Sequence, residues 1–319
     1  MSPETPSPEA PPSQASARVV LRGALDWLVA HREGFRPAPD AAERGAPDVH
    51  VKPLGELGQL MVCVQRHTAR GSAEHARAGE LLDFAWTVTG RGDLFHTLAL
   101  AEPHATYPLE MYAAFAATGR RHHGFEAFAG FGAGTRAWRS TECEPTRALA
   151  VLEAERRLGL APHTDPGAVT AATWLGGLPE PWAFETRAGY AATHHVFHVT
   201  RWGEAPELLP ADVRHYLAAW LPAWTRSCLE EESWDLAGEL LAVAACLPEP
   251  SGDTDTAWRD YAAAQGPDGV VAPRGSAPTG AGEDVFLACY HPTLVAAFAA
   301  ALTVDRRPAP LGAAVGGQP

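Results

Sequence analysis

The chain has 319 residues, 46% of them hydrophobic, with 38 acidic against 25 basic side chains and a formal net charge of −13. That length and apolar fraction suffice for one large core or two ordinary ones. The acidity opposes phosphate backbones and anionic lipid surfaces, so neither nucleic acid nor a membrane is expected as a partner.

In chain order, residues 1–16 are rich in Pro, Ser and Glu and read as a disordered tail without the basic and apolar regions of a secretory signal. Helical spacing of apolar residues then predicts helices at Val19–His31, Leu54–Thr68, Ala73–Val88, Tyr107–Thr118 and Thr146–Leu158. The same spacing continues through Tyr190–Arg201, Ala211–Glu230, Trp234–Cys246, Asp255–Gln265 and Val285–Leu302. Pro108 and Pro292 suit a first helical position, where a missing N–H does no harm. The stretches Arg36–Pro53, His163–Gly189 and Gly266–Gly282 read as long loops. The nearest strand candidate, Gly269–Ala272, is too short to pair. From residue 304 a second tail is expected, leaving one all-α domain over 17–303. No run reaches about 18 uninterrupted apolar residues, so no membrane span is expected. The five cysteines are scattered and form no CxxC pair, which fits a reducing cytoplasm. Abundant Ala, Arg, Gly and Pro with a single Lys fit a high-GC genome.

Three segments look alike: Thr106–Glu110, Tyr190–His194 and Cys289–Thr293 each set Tyr, His or Thr at the head of an apolar helical run. Tyr107 and His194 lie 87 residues apart, and His194 and His291 lie 97 apart. Each interval holds two helical hairpins of roughly 45 residues. A ring of hairpins around a central mouth follows, with an irregular bundle as the alternative.

At Trp258–Gly269 the sequence WRDYAAAQGPDG resembles the helix–Gln-x-x-Asp-Gly turn of α/α-toroid proteins, such as triterpene cyclases and protein prenyltransferase β subunits. Its chemistry suits a chain reversal, because Gly tolerates positive φ, Asp bonds its own backbone, and the Gln amide ties a helix end to a neighbour. The region from Trp174 to Ala300 is also similar to an uncharacterised family of all-α actinobacterial proteins, through Gly189-Tyr190…Thr193-His194…Phe197 and Tyr290-His291-Pro292-Thr293. The toroid likeness implies an α/α ring and no particular activity. The clustered aspartates of terpenoid cyclases are represented only by Asp253-Thr254-Asp255-Thr256, which reads as a helix cap. The lanthionine cyclases of this fold bind zinc through adjacent Cys and His. Here Tyr290 separates Cys289 from His291.

The richest site candidate is Tyr190, His194 and His198, which share one helix face. The i, i+4 histidines suit a metal pair completed by His291, Cys289 or Glu239, a hydrogen-bonded acid–base pair, or rings satisfied by nearby carbonyls. No cofactor is implied; zinc at His194, His198 and His291 is the one metal alternative. His195 faces away and reads as structural. A second cluster is His104, Tyr107 and Glu110, with Glu110 either a base, a cation stabiliser or a simple cap. Cys289 beside His291 is a thiolate–imidazolium candidate or a small core residue. His122 and His123 read as a solvated basic turn. Walker, GxGxxG and GxSxG signatures are absent.

The resulting expectation is an α/α toroid whose central aromatic pocket takes a small-molecule or peptide ligand. Its chemistry is acid–base catalysis of a cyclisation, elimination or isomerisation in specialised metabolism. His194, His198, His291 and Glu110 are the catalytic candidates. Tyr107, Tyr190, Thr193, Cys289 and Tyr290 are the substrate-binding ones. The alternative is a non-catalytic peptide- or lipid-binding scaffold.

Overall fold

The computed structural model describes residues 11–38, 40, 46–249, 252–278 and 282–305. Among them lie fourteen α-helices and no strand, forming one domain. They are α1 (Pro12–Ala30), α2 (Pro47–Arg66), α3 (Ala73–Val88), α4 (Asp93–Ala101), α5 (Tyr107–Ala116), α6 (His123–Ala133) and α7 (Arg136–Arg139). Then follow α8 (Pro145–Leu158), α9 (Pro166–Ala172), α10 (Thr186–Val199), α11 (Ala211–Glu230), α12 (Trp234–Cys246), α13 (Thr254–Ala264) and α14 (Glu283–Asp305).

All ten helical segments read from apolar spacing are helices, and the differences fall at their ends and between them. Helix α1 begins at Pro12, so 12–16 is helical where a tail was expected; residues 1–10 and 306–319 lie outside the described residues. Helix α2 begins at Pro47, inside the expected Arg36–Pro53 loop, and carries Pro53 within it. Helices α4, α6, α7 and α9 were not expected, being short or rich in Gly. His122 is more than a solvated turn. Its Nδ1 accepts from the Phe125 amide at 2.9 Å and caps α6, while Nε2 meets Asp93 at 3.0 Å. Pro292 is not at a helix start but inside α14, which begins nine residues earlier at Glu283. Gly269–Ala272 forms no strand.

Six helices meet one another in a closed order. Contacts run from α2 to α5, α8, α10, α12 and α14, and α14 packs back on α2. The other long helices pack against these and one another: α3 on α2, α11 on α12, and α1 on α14, α13 and α3. Tyr107, His194 and His291 therefore sit on alternate members of the six, α5, α10 and α14. Helix α12 and the middle of α14 are apolar and buried on nearly every side, as elements surrounded by others must be. Helix α14 is long and apolar enough to cross a bilayer, with mean hydropathy 1.8 over its best window, but 78% of that window is buried inside the protein.

The Gln-x-x-Asp-Gly turn ties the end of α13 to α1. The Gln265 amide donates to the Val20 carbonyl of α1 at 3.1 Å and to the Gly269 carbonyl at 2.9 Å. Gly269 has φ +91°, and a Cβ there would stand 2.0 Å from the Gly23 carbonyl oxygen. Only glycine meets both demands. Asp253 caps α13 by accepting from the Thr256 amide at 3.0 Å, as expected of it. Asp255 instead accepts from the Ser13 amide at 2.8 Å, at the head of α1.

Candidate functional site

A cavity of about 300 Å³ is lined by all six of the mutually packed helices. Its size lies at the lower end of small-molecule sites. Leu60, Met111, Phe197, Trp202, Val295 and Phe298 supply apolar wall. Between them stand titratable groups that an apolar core does not take without partners.

One group of these gathers where α2, α12 and α14 meet. His291 of α14 places Nδ1 3.2 Å from Glu56 of α2, and Nε2 3.5 Å from Glu239 and 3.6 Å from Asp235 of α12. Burial opposes charge on this ring, but hydrogen bonds to Glu239 and Glu56 and the neighbouring carboxylate charges outweigh it. The His291 pKa is raised well above the ordinary imidazole value. The same contacts work on the acids. Burial raises Glu239 and Glu56, yet His291 and, for Glu239, the neighbouring His194 ring and the Thr193 hydroxyl pull both below the usual carboxylate range. Asp235 goes the other way. Burial dominates, the charges of Glu239 and Glu56 add to it, and its carboxyl is raised. Tyr190 donates to Asp235 at 2.5 Å, Thr193 donates to Glu239, and Tyr290 lies against Glu56.

His194 of α10 lies beside this group. Its Nδ1 is 2.8 Å from the Tyr190 carbonyl and 3.7 Å from Glu239. A carbonyl only accepts, so Nδ1 carries the hydrogen, and the remaining nitrogen is Nε2. No hydrogen bond among the described residues uses Nε2, and the ring lines the cavity.

A second group lies on α8. Arg157 donates from Nε to Glu153 at 2.8 Å and from Nη1 to Gln59 of α2 at 2.7 Å. Arg156 grips the same Glu153 with two bonds of 2.7 Å. Nearer the surface, half-exposed Arg147 reaches Glu110 at 2.9 Å, and burial raises the Glu110 carboxyl despite that partner. His198 lines the cavity with its Nδ1 buried and unpartnered. Burial foremost, with the neighbouring His194 ring and the charge of Arg157, lowers its pKa well below the ordinary value.

Of the residues read from sequence, His194, His198, His291, Glu110 and Tyr107 line this one cavity. Tyr190, Thr193 and Tyr290 do not line it: Thr193 and Tyr290 touch its carboxylates Glu239 and Glu56, and Tyr190 touches Asp235, which stands outside the lining. The Tyr107 hydroxyl is held by Glu102 at 2.7 Å. Two candidates stand elsewhere. Cys289 is fully buried in the core with its thiol raised by burial, and it does not line the cavity. His104 is exposed outside it. His195 points away, its Nδ1 2.7 Å from the Thr173 hydroxyl, and burial lowers it to about 4. Among the described residues no group of three or more His, Cys, Asp and Glu side chains is arranged to hold a metal ion.

Sequence reading missed Glu56, Asp235, Glu153, Arg147 and Arg157. Asp235 and Glu239 left a signal: two acids four apart in the otherwise apolar run WDLAGELLAVAAC share one face. The segment EAERR left none, since such a run ordinarily reads as a solvated face.

The model of a domain of unknown function, DUF6895, matches residues 21–301. The chain belongs to this family. Its match spans α1 to α14 and therefore every residue of the cavity wall. No curated protein and no solved structure matches the chain.

Proposed function

We propose that this member of the DUF6895 family is an α/α toroid and an enzyme of small-molecule metabolism, working by proton transfer in the central cavity. The observation that carries the reading is His194. Its Nδ1–H is held by the Tyr190 carbonyl beside buried Glu239, which leaves Nε2 as a positioned base on the cavity wall. His291 with Glu56, Asp235 and Glu239 carries more negative than positive charge, so this wall favours positive charge developing on a bound molecule. A proton taken by His194 and another returned by His291, which lines the same cavity as an imidazolium, balance an isomerisation, and the same base begins an elimination or cyclisation. The closed order of α2, α5, α8, α10, α12 and α14, together with the Gln265–Gly269 turn, supports the toroid.

The test is incubation of the purified protein with a small-molecule extract in D₂O, followed by mass spectrometry, with His194→Gln in parallel. The expected result is a compound consumed, or labelled with deuterium, by the native protein and not by the variant. A compound that copurifies unchanged, with no conversion or exchange of anything in the extract, would instead make the cavity a receptor site.

A further inference from the structure

The α8 side of the cavity holds an unmatched buried cation. Arg157 has only 5% of its side chain exposed. Its Nε and Nη1 are bonded, but Nη2 is buried and has no hydrogen-bond partner. Among the described residues Glu153 is its one carboxylate partner, and Arg156 shares it, so two guanidinium charges face one anion. Beside it the buried Nδ1 of His198 is likewise unpartnered, and both residues line the cavity. Buried donors without acceptors are rare in folded proteins, and a guanidinium edge short of an anion matches a carboxylate in geometry and charge.

We propose that Arg157, with His198 beside it, is the anchoring site for the carboxylate of a small, largely apolar organic acid. One missing charge and one free guanidinium nitrogen suit a monoanion rather than a phosphate dianion. The rest of the molecule lies along Phe197, Trp202 and Phe298, which line the same space. The placement joins both halves of the site. Gln59, which holds Arg157, is three residues from Glu56, which holds His291, so the anchor and the proton-handling group lie one helical turn apart on α2. An acid gripped at Arg157 thus presents its body to His194 and His291. The proposal deepens the reading above and rests on it for the entry of a small molecule.

The test is equilibrium binding, by calorimetry and Trp fluorescence, of hexanoate, decanoate and 4-phenylbutyrate against the alcohol and amine of the same skeletons. Native protein is expected to bind at least one carboxylate about tenfold or more tightly than its alcohol and amine, the effect of a hydrogen bond to a charged group. Arg157→Gln removes that preference. Arg226→Gln, at an exposed position of α11, keeps it. Equal binding of acid, alcohol and amine, or no binding of any of the three acids, overturns the proposal on native protein alone, whatever the variants do. A preference that survives in folded Arg157→Gln overturns it too. A carboxylate preference in a protein that converts no compound would defeat the enzymatic reading and leave this one standing.

Discussion

Replacing His291 by Gln tests the charge balance of the cavity most severely. The change keeps a polar side chain but strips Glu56, Asp235 and Glu239 of the cation that stands 3.2–3.6 Å from all three. At an effective dielectric constant of about 20, a unit charge pair at such a distance is worth roughly 5 kcal/mol before desolvation. Removing one partner of a buried pair costs about 3–5 kcal/mol. Because His291 and Glu56 are each about a quarter exposed, the lower end applies, about 3 kcal/mol. With an unfolding entropy of about 2.1 cal/mol/K per residue, that lowers Tm by about 4–5 °C near neutral pH. The pH dependence is signed. The raised His291 stabilises the fold fully below the ordinary imidazole pKa, and this contribution fades as pH climbs through its folded value. The lowered Glu56 and Glu239 stabilise above the ordinary carboxylate pKa, and theirs fades as pH falls through their folded values. The deficit of the variant is therefore greatest near neutrality and closes toward about pH 4 as the stranded acids take up protons. Differential scanning calorimetry across that range measures it. An unchanged Tm near neutral pH, or a deficit that widens in acid, would refute the reasoning.

Other outcomes follow from the same packing. Thr193→Val deletes a buried hydroxyl that donates to Glu239, and urea unfolding should register a loss of about 1.5–3 kcal/mol. Gln265→Ala strands the Gly269 carbonyl and cuts the tie to Val20 of α1, and should cost about 1–3 kcal/mol in the same assay. Gly269→Ala should destabilise more, because its methyl would meet the Gly23 backbone, which no rotamer can relieve.

The helices were legible because their apolar residues recur at helical spacing and their partners are other helices. Short α6 and α9 were not, since FEAFAGFGA and PGAVTAA owe their helices to caps, His122 and Asp165, and to neighbours rather than to a stripe. Three look-alike segments pointed to a shared hollow, and His194, His291 and Glu110 do line one cavity. Yet His194 and His291 do so from within their helices, and only Glu110 from a first turn. Pro292 misled, because a proline ten residues into α14 is tolerated where the surrounding helices hold the segment in place. Cys289 misled in another way: two residues along a helix turn a side chain by about 200°, which sends the thiol away from the face that His291 presents. Asp235 and Glu239 stood out as acids in an apolar run, but Glu56 became visible only when α2, α12 and α14, far apart in sequence, were brought together.

The central claim is that His291 is an imidazolium enclosed by carboxylates of α2 and α12. Nitrogen-15 correlation spectra of histidine-labelled protein near pH 7.5 read the ring directly, with His291→Gln supplying the assignment. The account expects both His291 nitrogens to be protonated, and expects this to weaken when Glu56 and Glu239 are together replaced by Gln. A His291 ring with one bare, pyridine-like nitrogen in the native protein at that pH would contradict it.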